Sequence, residues 1–340
     1  MSQNDPLVSI IMPAFNAEKY IEASILSVIS QSYKNWELLI INDGSTDRTQ
    51  EIAKKFMEED SRIKLLVHSE NKGIVASRNY GLVSAKGYFI ANLDSDDIAR
   101  KNRITQQVNF LKKNTDYVLL GSSCVEIDEN GKKLRTIDRN LKNESIKSLL
   151  FFSNYFINST IMMRADSAQK CGYEEGFAPA EDYHFFTQIC KYGEVGNLKK
   201  ALVKYRIHST NISKLKKVEQ QNAIKNILKL QIQNLNIEPS NLELTIHQNL
   251  VDGPFPNSIE EIKIIEKWLL KLLKMNKLYS VYPQKYFNYY LAFFYRRACT
   301  ENKIGLKGYK FFKKSELWGF IKNDIKGNSI SFVKSFVKKN

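Results

Sequence analysis

The sequence predicts an α/β protein, with a Rossmann-like, doubly wound and mostly parallel sheet followed by a helical C-terminal region. Three observations lead there. Strand-like and helix-like segments alternate from residue 7 to about 115. Those strands are solidly apolar, as expected when helices cover both faces of a parallel sheet. Beyond Ser213, the long periodic stretches repeat their apolar residues at intervals of three and four.

Each element has its own signal. "LVSIIMPAF" (7–15) is a β-rich run stopped by Pro13, and "AEKYIEASILSVISQSY" then sets Tyr20, Ile21, Ile25, Val28 and Ile29 at helical spacing. "WELLIIND" (36–43) is a continuous apolar strand, and "GSTDRTQEIAKKFMEED" opens with capping residues before a helix. "RIKLLVHS" (62–69) reads as a third strand, "NKGIVASRNYGLVSAKG" as a glycine-punctuated helix and "YFIANLD" (88–94) as a fourth strand. From Tyr117 the pattern changes. "YVLLGSSCVEID", a turn at Glu129–Asn130–Gly131 and "KLRTID" suggest a hairpin, while "NSTIMMRAD" and "LVKYRIH" add strands around a helix at "AEDYHFFTQICKYG". Three helices follow in "VEQQNAIKNILKLQIQNL", "SIEEIKIIEKWLLKLLKM" and "PQKYFNYYLAFFYRRACT". The chain therefore divides at 1–115, 116–213 and 214–340, and its 340 residues exceed one compact core of common size.

Composition narrows the classes. With 43% hydrophobic and 11% aromatic residues the chain is globular. No apolar run approaches the roughly 18–20 residues that span a bilayer, and "MSQNDPLVSIIMPAF" lacks the features of a secretory leader. Cys124, Cys171, Cys190 and Cys299 stand far apart without CxxC spacing, so reduced thiols in the cytoplasm are expected. Residues 1–214 hold 29 Lys and Arg against 26 Asp and Glu, whereas 215–340 hold 22 against 10. The basic surplus sits in the last third, where charge alone suits a nucleic acid or an anionic membrane equally. No nucleic-acid-binding module accompanies it, so no nucleic-acid partner is expected.

In an open α/β sheet, ligands bind beyond the carboxyl ends of the strands. Three such ends carry polar groups. "MPAFN" offers Pro13, Phe15 and Asn16, "NDGSTD" places Asp43 before a glycine turn, and "LDSDD" sets Asp94, Ser95, Asp96 and Asp97 in a row. Asp94 and Asp96 share a face of an extended segment, an arrangement that suits a hard divalent cation. Alternatively, "GSTD" and "DSDD" cap the helices that follow them, and Phe15 belongs to the core. All three stretches fall at equivalent strand ends, which independent caps would not explain.

"PAFNAEKYIEASILSVISQSYKNWELLIINDGSTDRT", "NKGIVASRNYGLVSAKGYFIANLDSDD" and "AEDYHFF…KYG" resemble family 2 inverting glycosyltransferases of the GT-A fold, over about residues 7–213. "NSTIMMR" and "ALVKYRIHSTNIS" look most like bacterial β-1,3-N-acetylhexosaminyltransferases that extend lipooligosaccharide or O-antigen. The resemblance implies a nucleotide-sugar-binding half at 1–115, an acceptor and base half at 116–213, and a basic helical tail at 214–340. It sets Phe15 on the uracil of a UDP-sugar and Asp43 on the same base, with Asn42 where the family motif has its first acid. Asn71, Gly73 and Arg78 match a segment near the nucleotide. Asp94, Ser95 and Asp96 match the DXD motif, with Asp94 towards ribose and Asp96 on Mn²⁺ or Mg²⁺. His208 matches a position reaching that metal, Asp182 the catalytic base, and Glu181 a neighbour towards the acceptor. For Asp182, His208 and Arg78, the residues alone also permit a helix-start acid, an ordinary histidine and a surface ion pair.

The implied reaction is metal-dependent, non-processive and inverting. A GlcNAc, GalNAc, Gal or Glc residue moves to a hydroxyl of a lipooligosaccharide, O-antigen or capsule glycan, with a lipid-linked acceptor expected. A sugar nucleotidyltransferase would announce a Gly-rich triphosphate loop that "MPAFNAEKY" lacks, and a Mg²⁺-binding signalling module would not need 120 basic helical residues. From Lys303 to Asn340, ten lysines face two acids. Tyr309, Phe311, Phe312, Leu317, Trp318, Phe320, Ile321, Phe332, Val333, Phe336 and Val337 are interleaved with them, a pattern suited to peripheral binding at the inner face of the cytoplasmic membrane.

Overall fold

The computed structural model describes residues 5–209, 211, 215–301, 304 and 306–321. It divides into two compact units. One takes the chain to Leu141 and again from Phe156 to Ala223; the other takes Lys142–Tyr155 and the chain from Ile224 onward. Residues 142–155 thus leave the 116–213 stretch in which the sequence reading placed them.

In the first unit, β1 (Val8–Ala14), β2 (Trp36–Asp43), β3 (Ile63–His68) and β4 (Phe89–Asn92) alternate with α1 (Ile21–Ile29), α2 (Thr49–Glu59) and α3 (Ile74–Ser84). The strands are parallel in the order β3-β2-β1-β4. Every residue of β2 is buried, which explains its unbroken apolar run. The strand order reverses at β1, so the ends of β2 and β4 flank the end of β1. This is the crevice where the sheet can hold a ligand.

After β5 (Ile98–Ala99) and α4 (Arg103–Lys113), β6 (Tyr117–Ile127) forms the expected hairpin with β7 (Lys133–Ile137). The sheet continues through β8 (Met162–Arg164), which runs antiparallel to β4 with Ala91 opposite Met162. This pairing makes the 3-10 turn Asn158–Thr160, just ahead of β8, lie where β4 ends. α6 (Ala165–Cys171), α7 (Glu181–Ile189) and β9 (Glu194–Arg206) follow, and β9 pairs parallel to β6. β9 is longer than "LVKYRIH" indicated, while α4 and α6 carried no separate expectation.

The helical unit contains α5 (Asn143–Leu149), most of α8 (Lys217–Gln233), then α9 (Asn241–Asp252), α10 (Ile259–Tyr279), α11 (Gln284–Thr300) and α12 (Leu306–Lys314). α11 is enclosed on most sides, burying Phe287, Tyr290, Phe293, Phe294 and Tyr295. His247 is fully buried there, with Nε2 3.0 Å from the Phe151 carbonyl and Nδ1 accepting from Trp268 Nε1 at 3.4 Å. Burial lowers its pKa to about 4, so it packs as a neutral ring. Phe312, Leu317 and Ile321, expected as membrane anchors, are buried. Phe312 packs edge-on against Tyr295 and Trp318, because large aromatics find more contact in a core than at a surface. Phe332, Val333, Phe336 and Val337 lie outside the described residues. Among the described residues, no helix is long and apolar enough to cross a membrane.

Candidate active site

The loops at the ends of β1, β2, β3 and β4 are tied to one another by polar contacts. Asn16 adopts a positive φ of 48°, its N–H donates to Ser45 Oγ at 3.0 Å, and its Oδ1 accepts from the Thr46 N–H at 2.9 Å. Its amide therefore joins two loops. Phe15 beside it is 49% exposed, and Pro13 is half-buried in β1. The capping residues of "GSTD" work across loops as well as along the chain: Asp47 Oδ2 accepts from the Glu18 N–H at 3.0 Å and Asp47 Oδ1 from the Thr49 N–H at 2.9 Å.

Asp43 ends β2 with its carboxylate buried. Oδ1 accepts from the Lys72 N–H at 2.9 Å and lies 2.8 Å from His68 Nδ1, and Oδ2 accepts from the Gly73 N–H at 2.9 Å. Main-chain donors thus offset the cost of an acid at a strand end. Gly44 makes this possible. At φ +69° a Cβ there would stand 2.5 Å from Glu70 C and 2.6 Å from Asn71 N, so only glycine lets the loops approach. Asn71 is exposed, and Gly73 begins α3 with φ 88°. His68, at the equivalent end of β3, was missed; its place at a strand end was the available signal.

The three acids after β4 diverge. Asp94 is clamped by the turn before β8: Asn158 Nδ2 donates to Oδ1 at 2.9 Å, Ser159 Oγ donates to Oδ2 at 3.0 Å, and the Asp94 N–H donates back to Ser159 Oγ at 3.0 Å. Ser95 turns away, its carbonyl accepting from Ser24 Oγ at 2.8 Å. Asp96 Oδ2 lies 2.8 Å from His208 Nε2, so these two expected metal residues meet. Asp97 is fully buried, its Oδ1 accepting from the Arg206 N–H at 2.7 Å, and burial beside Asp96 and Asp94 holds its pKa well above the usual range. It is an internal strut between β5 and β9.

Asp96 supplies a carboxylate of the kind that holds Mn²⁺ or Mg²⁺ together with substrate phosphates, and His208 places an imidazole nitrogen 2.8 Å from it. Among the described residues, no three His, Cys, Asp or Glu side chains converge into a complete metal cage.

Asp182 stands in the first turn of α7, where the helix dipole favours an acid, and its Oδ1 accepts from the Tyr183 N–H at 2.6 Å. Burial, then the neighbouring Glu181, raise its pKa to about 7, against the pull of Arg78. Glu181 is internal, 5% exposed, and lies 3.4 Å from Arg78 Nη1. Arg78 is likewise internal, 7% exposed, with Nη1 donating to Asn158 Oδ1 at 3.1 Å and Nη2 3.6 Å from Asp94 Oδ1. Nothing in the periodicity of the chain could have revealed these pairings.

A parallel sheet with acids gathered at its strand ends, continued by antiparallel strands and a helical region, is the architecture of a GT-A glycosyltransferase. Comparison with known proteins agrees. The chain belongs to glycosyl transferase family 2, whose family model matches residues 9–172. It is 35% identical to an uncharacterized glycosyltransferase of Haemophilus influenzae, a match covering 66% of this chain and 73% of that one. It is also 35% identical to the Escherichia coli UDP-Glc:alpha-D-GlcNAc-diphosphoundecaprenol beta-1,3-glucosyltransferase WfgD, over 64% of this chain and 85% of WfgD. The fold resembles S. aureus TarS in complex with UDP-GlcNAc, with TM-score 0.56, 18% identity and 92% of each chain covered. It also resembles the Pyrobaculum calidifontis mannosyltransferase PcManGT in complex with GDP-Man and Mn²⁺, with TM-score 0.53, 14% identity and 88% of each chain covered.

The Asp182 environment has a consequence for stability. Its folded pKa of about 7 exceeds the ordinary 3.8, so between those values the folded state holds a proton that the unfolded chain has released. This group's contribution therefore falls as pH rises through that window. Asp182→Asn is expected to remove that dependence and to match or exceed wild-type stability at pH 8. Denaturant unfolding at pH 5 and pH 8 measures it.

Proposed function

We propose that this glycosyltransferase moves one sugar from a UDP-sugar to a hydroxyl of a lipid-linked surface glycan, with inversion at the anomeric carbon. The observation that carries the reading is that one buried guanidinium, Arg78, serves both the strand-end acid Asp94, 3.6 Å away, and the helix-start acid Asp182, whose charge it favours. The relative WfgD, named for a UDP-Glc donor and a diphosphoundecaprenol acceptor, supports the substrate classes.

In this reading Phe15 offers an exposed ring to the base, Asp43 Oδ2 has a lone pair left for a uracil N–H, and Asp94 faces the ribose. Asp182 Oδ accepts the proton of the acceptor hydroxyl. The deprotonated hydroxyl oxygen of the acceptor forms the new bond to the anomeric carbon while the bond to UDP breaks, and UDP leaves with the electron pair. Asp96 and His208 would hold a divalent cation, which when bound supplies positive charge for the diphosphate. A base that works as its carboxylate must be ionised, so kcat/KM should fall about tenfold per pH unit below about 7. Asp182→Asn should lower kcat by about a hundredfold or more with UDP affinity nearly unchanged, followed by UDP-release assay and calorimetry. Release of GDP from a GDP-sugar, with none of UDP from any UDP-sugar, would overturn the donor assignment.

The metal pair has its own measurement. Asp96→Ala should abolish the tight Mn²⁺ signal that electron paramagnetic resonance detects with wild type and UDP, leaving Mn²⁺ as in buffer with UDP alone. An unchanged protein-bound signal would remove Asp96 from the site.

Peripheral attachment to an anionic membrane is also part of this reading. Because Phe312, Leu317 and Ile321 belong to the helical core, truncation belongs after Ile321, where five lysines and one aspartate remain together with Phe332 and Phe336. Full-length protein should float with anionic liposomes and the shortened chain should float less. Equal flotation would place the attachment elsewhere.

A further inference from the structure

Beyond the strand-end loops, the first unit contains a buried polar chain that the reaction scheme does not itself require. Asn158 is its hub. Its Oδ1 accepts from Arg78 Nη1 at 3.1 Å and from Asn92 Nδ2 at 2.9 Å, while its Nδ2 donates to Asp94 at 2.9 Å. Arg78 then reaches Glu181 Oε1 at 3.4 Å, with the Tyr173 ring 5.3 Å from its guanidinium carbon. Tyr173 is fixed in turn: its hydroxyl accepts from Asn92 Nδ2 at 2.8 Å, and its N–H and carbonyl bond Asn79 at 2.8 and 2.7 Å. Both ends of the Arg78–Glu181 pair are buried, so the charges act through protein rather than water.

We propose that Glu181 and Arg78 are positioning residues: the buried ion pair they form next to Asp182, with Asn158 holding Arg78 in place, tunes Asp182 for its work as the base. The proposal rests on the reading of Asp182 as the base. Glu181 is its immediate neighbour in the first turn of α7, and Arg78, on α3, lies 3.4 Å from Glu181. The other titratable groups facing Asp182 are Asp94 beyond β4, Tyr173 between α6 and α7, and Tyr205 in β9. Glu181 raises the affinity of Asp182 for its proton and Arg78 lowers it. The pair thereby keeps a buried carboxyl ionisable near neutrality. Burial with a second carboxylate alone would leave it protonated, and an unopposed guanidinium would leave too weak a base.

Two substitutions separate this from a purely structural role. Glu181→Gln keeps size and an acceptor oxygen for Arg78 but deletes the negative charge, so the acidic limb of the kcat/KM profile should move down by about one pH unit. Adding Arg78→Gln deletes the opposing charge, and the limb should return upward by a similar amount, even though the rate falls further. Arg78→Lys, which keeps charge but cannot reach Asn158, Asp94 and Glu181 together, should lower kcat and leave the limb near its wild-type position. If the double variant does not fold, Glu181→Gln and Arg78→Lys decide the matter between them. A limb that stays in place in Glu181→Gln, or that moves down again on adding Arg78→Gln, overturns the proposal. Asp182→Asn in the same series keeps the two readings apart. If it is inactive while the other limbs do not move, only the tuning fails; if it is active with a wild-type profile, the base assignment and the tuning fail together.

Discussion

The buried guanidinium of Arg78 is the contact on which the site depends. Three carboxylates, Asp94, Glu181 and Asp182, come together in a space mostly withdrawn from water, and like charges so placed repel while losing hydration. One cation facing all three offsets that cost, and a guanidinium suits the task because its donors fan out in a plane and it stays charged when buried. Arg78 spends these donors on Asn158, Glu181 and Asp94. Removing it would strip the buried Glu181 of its ion-pair partner and leave three neighbouring carboxylates without the cation that offsets their repulsion.

The strand-end loops follow a different rule. Asp43 takes two of its bonds from the main-chain N–H groups of Lys72 and Gly73, and Asp97 takes one from Arg206. Asn16 and Asp47 join neighbouring loops through further main-chain N–H groups. Loops at the ends of parallel strands have main-chain donors to spare, and acids placed there satisfy them while gaining compensation for burial. Arg206 extends the same logic with side-chain donors, binding the carbonyls of Asp96, Asp128 and Glu129 so that the end of β9 and the β6–β7 turn support the segment carrying the acids.

This contrast explains what was legible in the sequence. The parallel strands could be read because burial on both faces leaves an unbroken apolar run, and their ends could be read because polar groups follow abruptly. Asp43, Asp94 and Asp96 were visible on that basis. α9 escaped notice although Ser240 and Glu243 form a capping box at its start, a signal present in the residues themselves. α5 and α6, at seven residues each, are too short for periodicity to register. The pairing of Glu181 with Arg78 was hidden for a different reason. An acid at a helix start looks the same whether it faces solvent or a cation 103 positions earlier in the chain. Only the antiparallel pairing of β8 with β4 brings Asn158 to Asp94, and no local pattern encodes that meeting.

The two halves of the site are therefore held with different stiffness. Acids held by main-chain N–H groups cannot lose those donors to substitution unless the backbone itself shifts, as a side chain at Gly44 would force. The helix-start acid Asp182 takes one bond from its own helix, while its charge environment comes from the side chains of Arg78 and Glu181. Those can change one residue at a time. The strand-end acids are thus built into the fold, because the same N–H groups that donate to them also close the loops. The charge environment of Asp182 is left to a few exchangeable side chains, so it can change without moving the backbone that holds the strand-end acids.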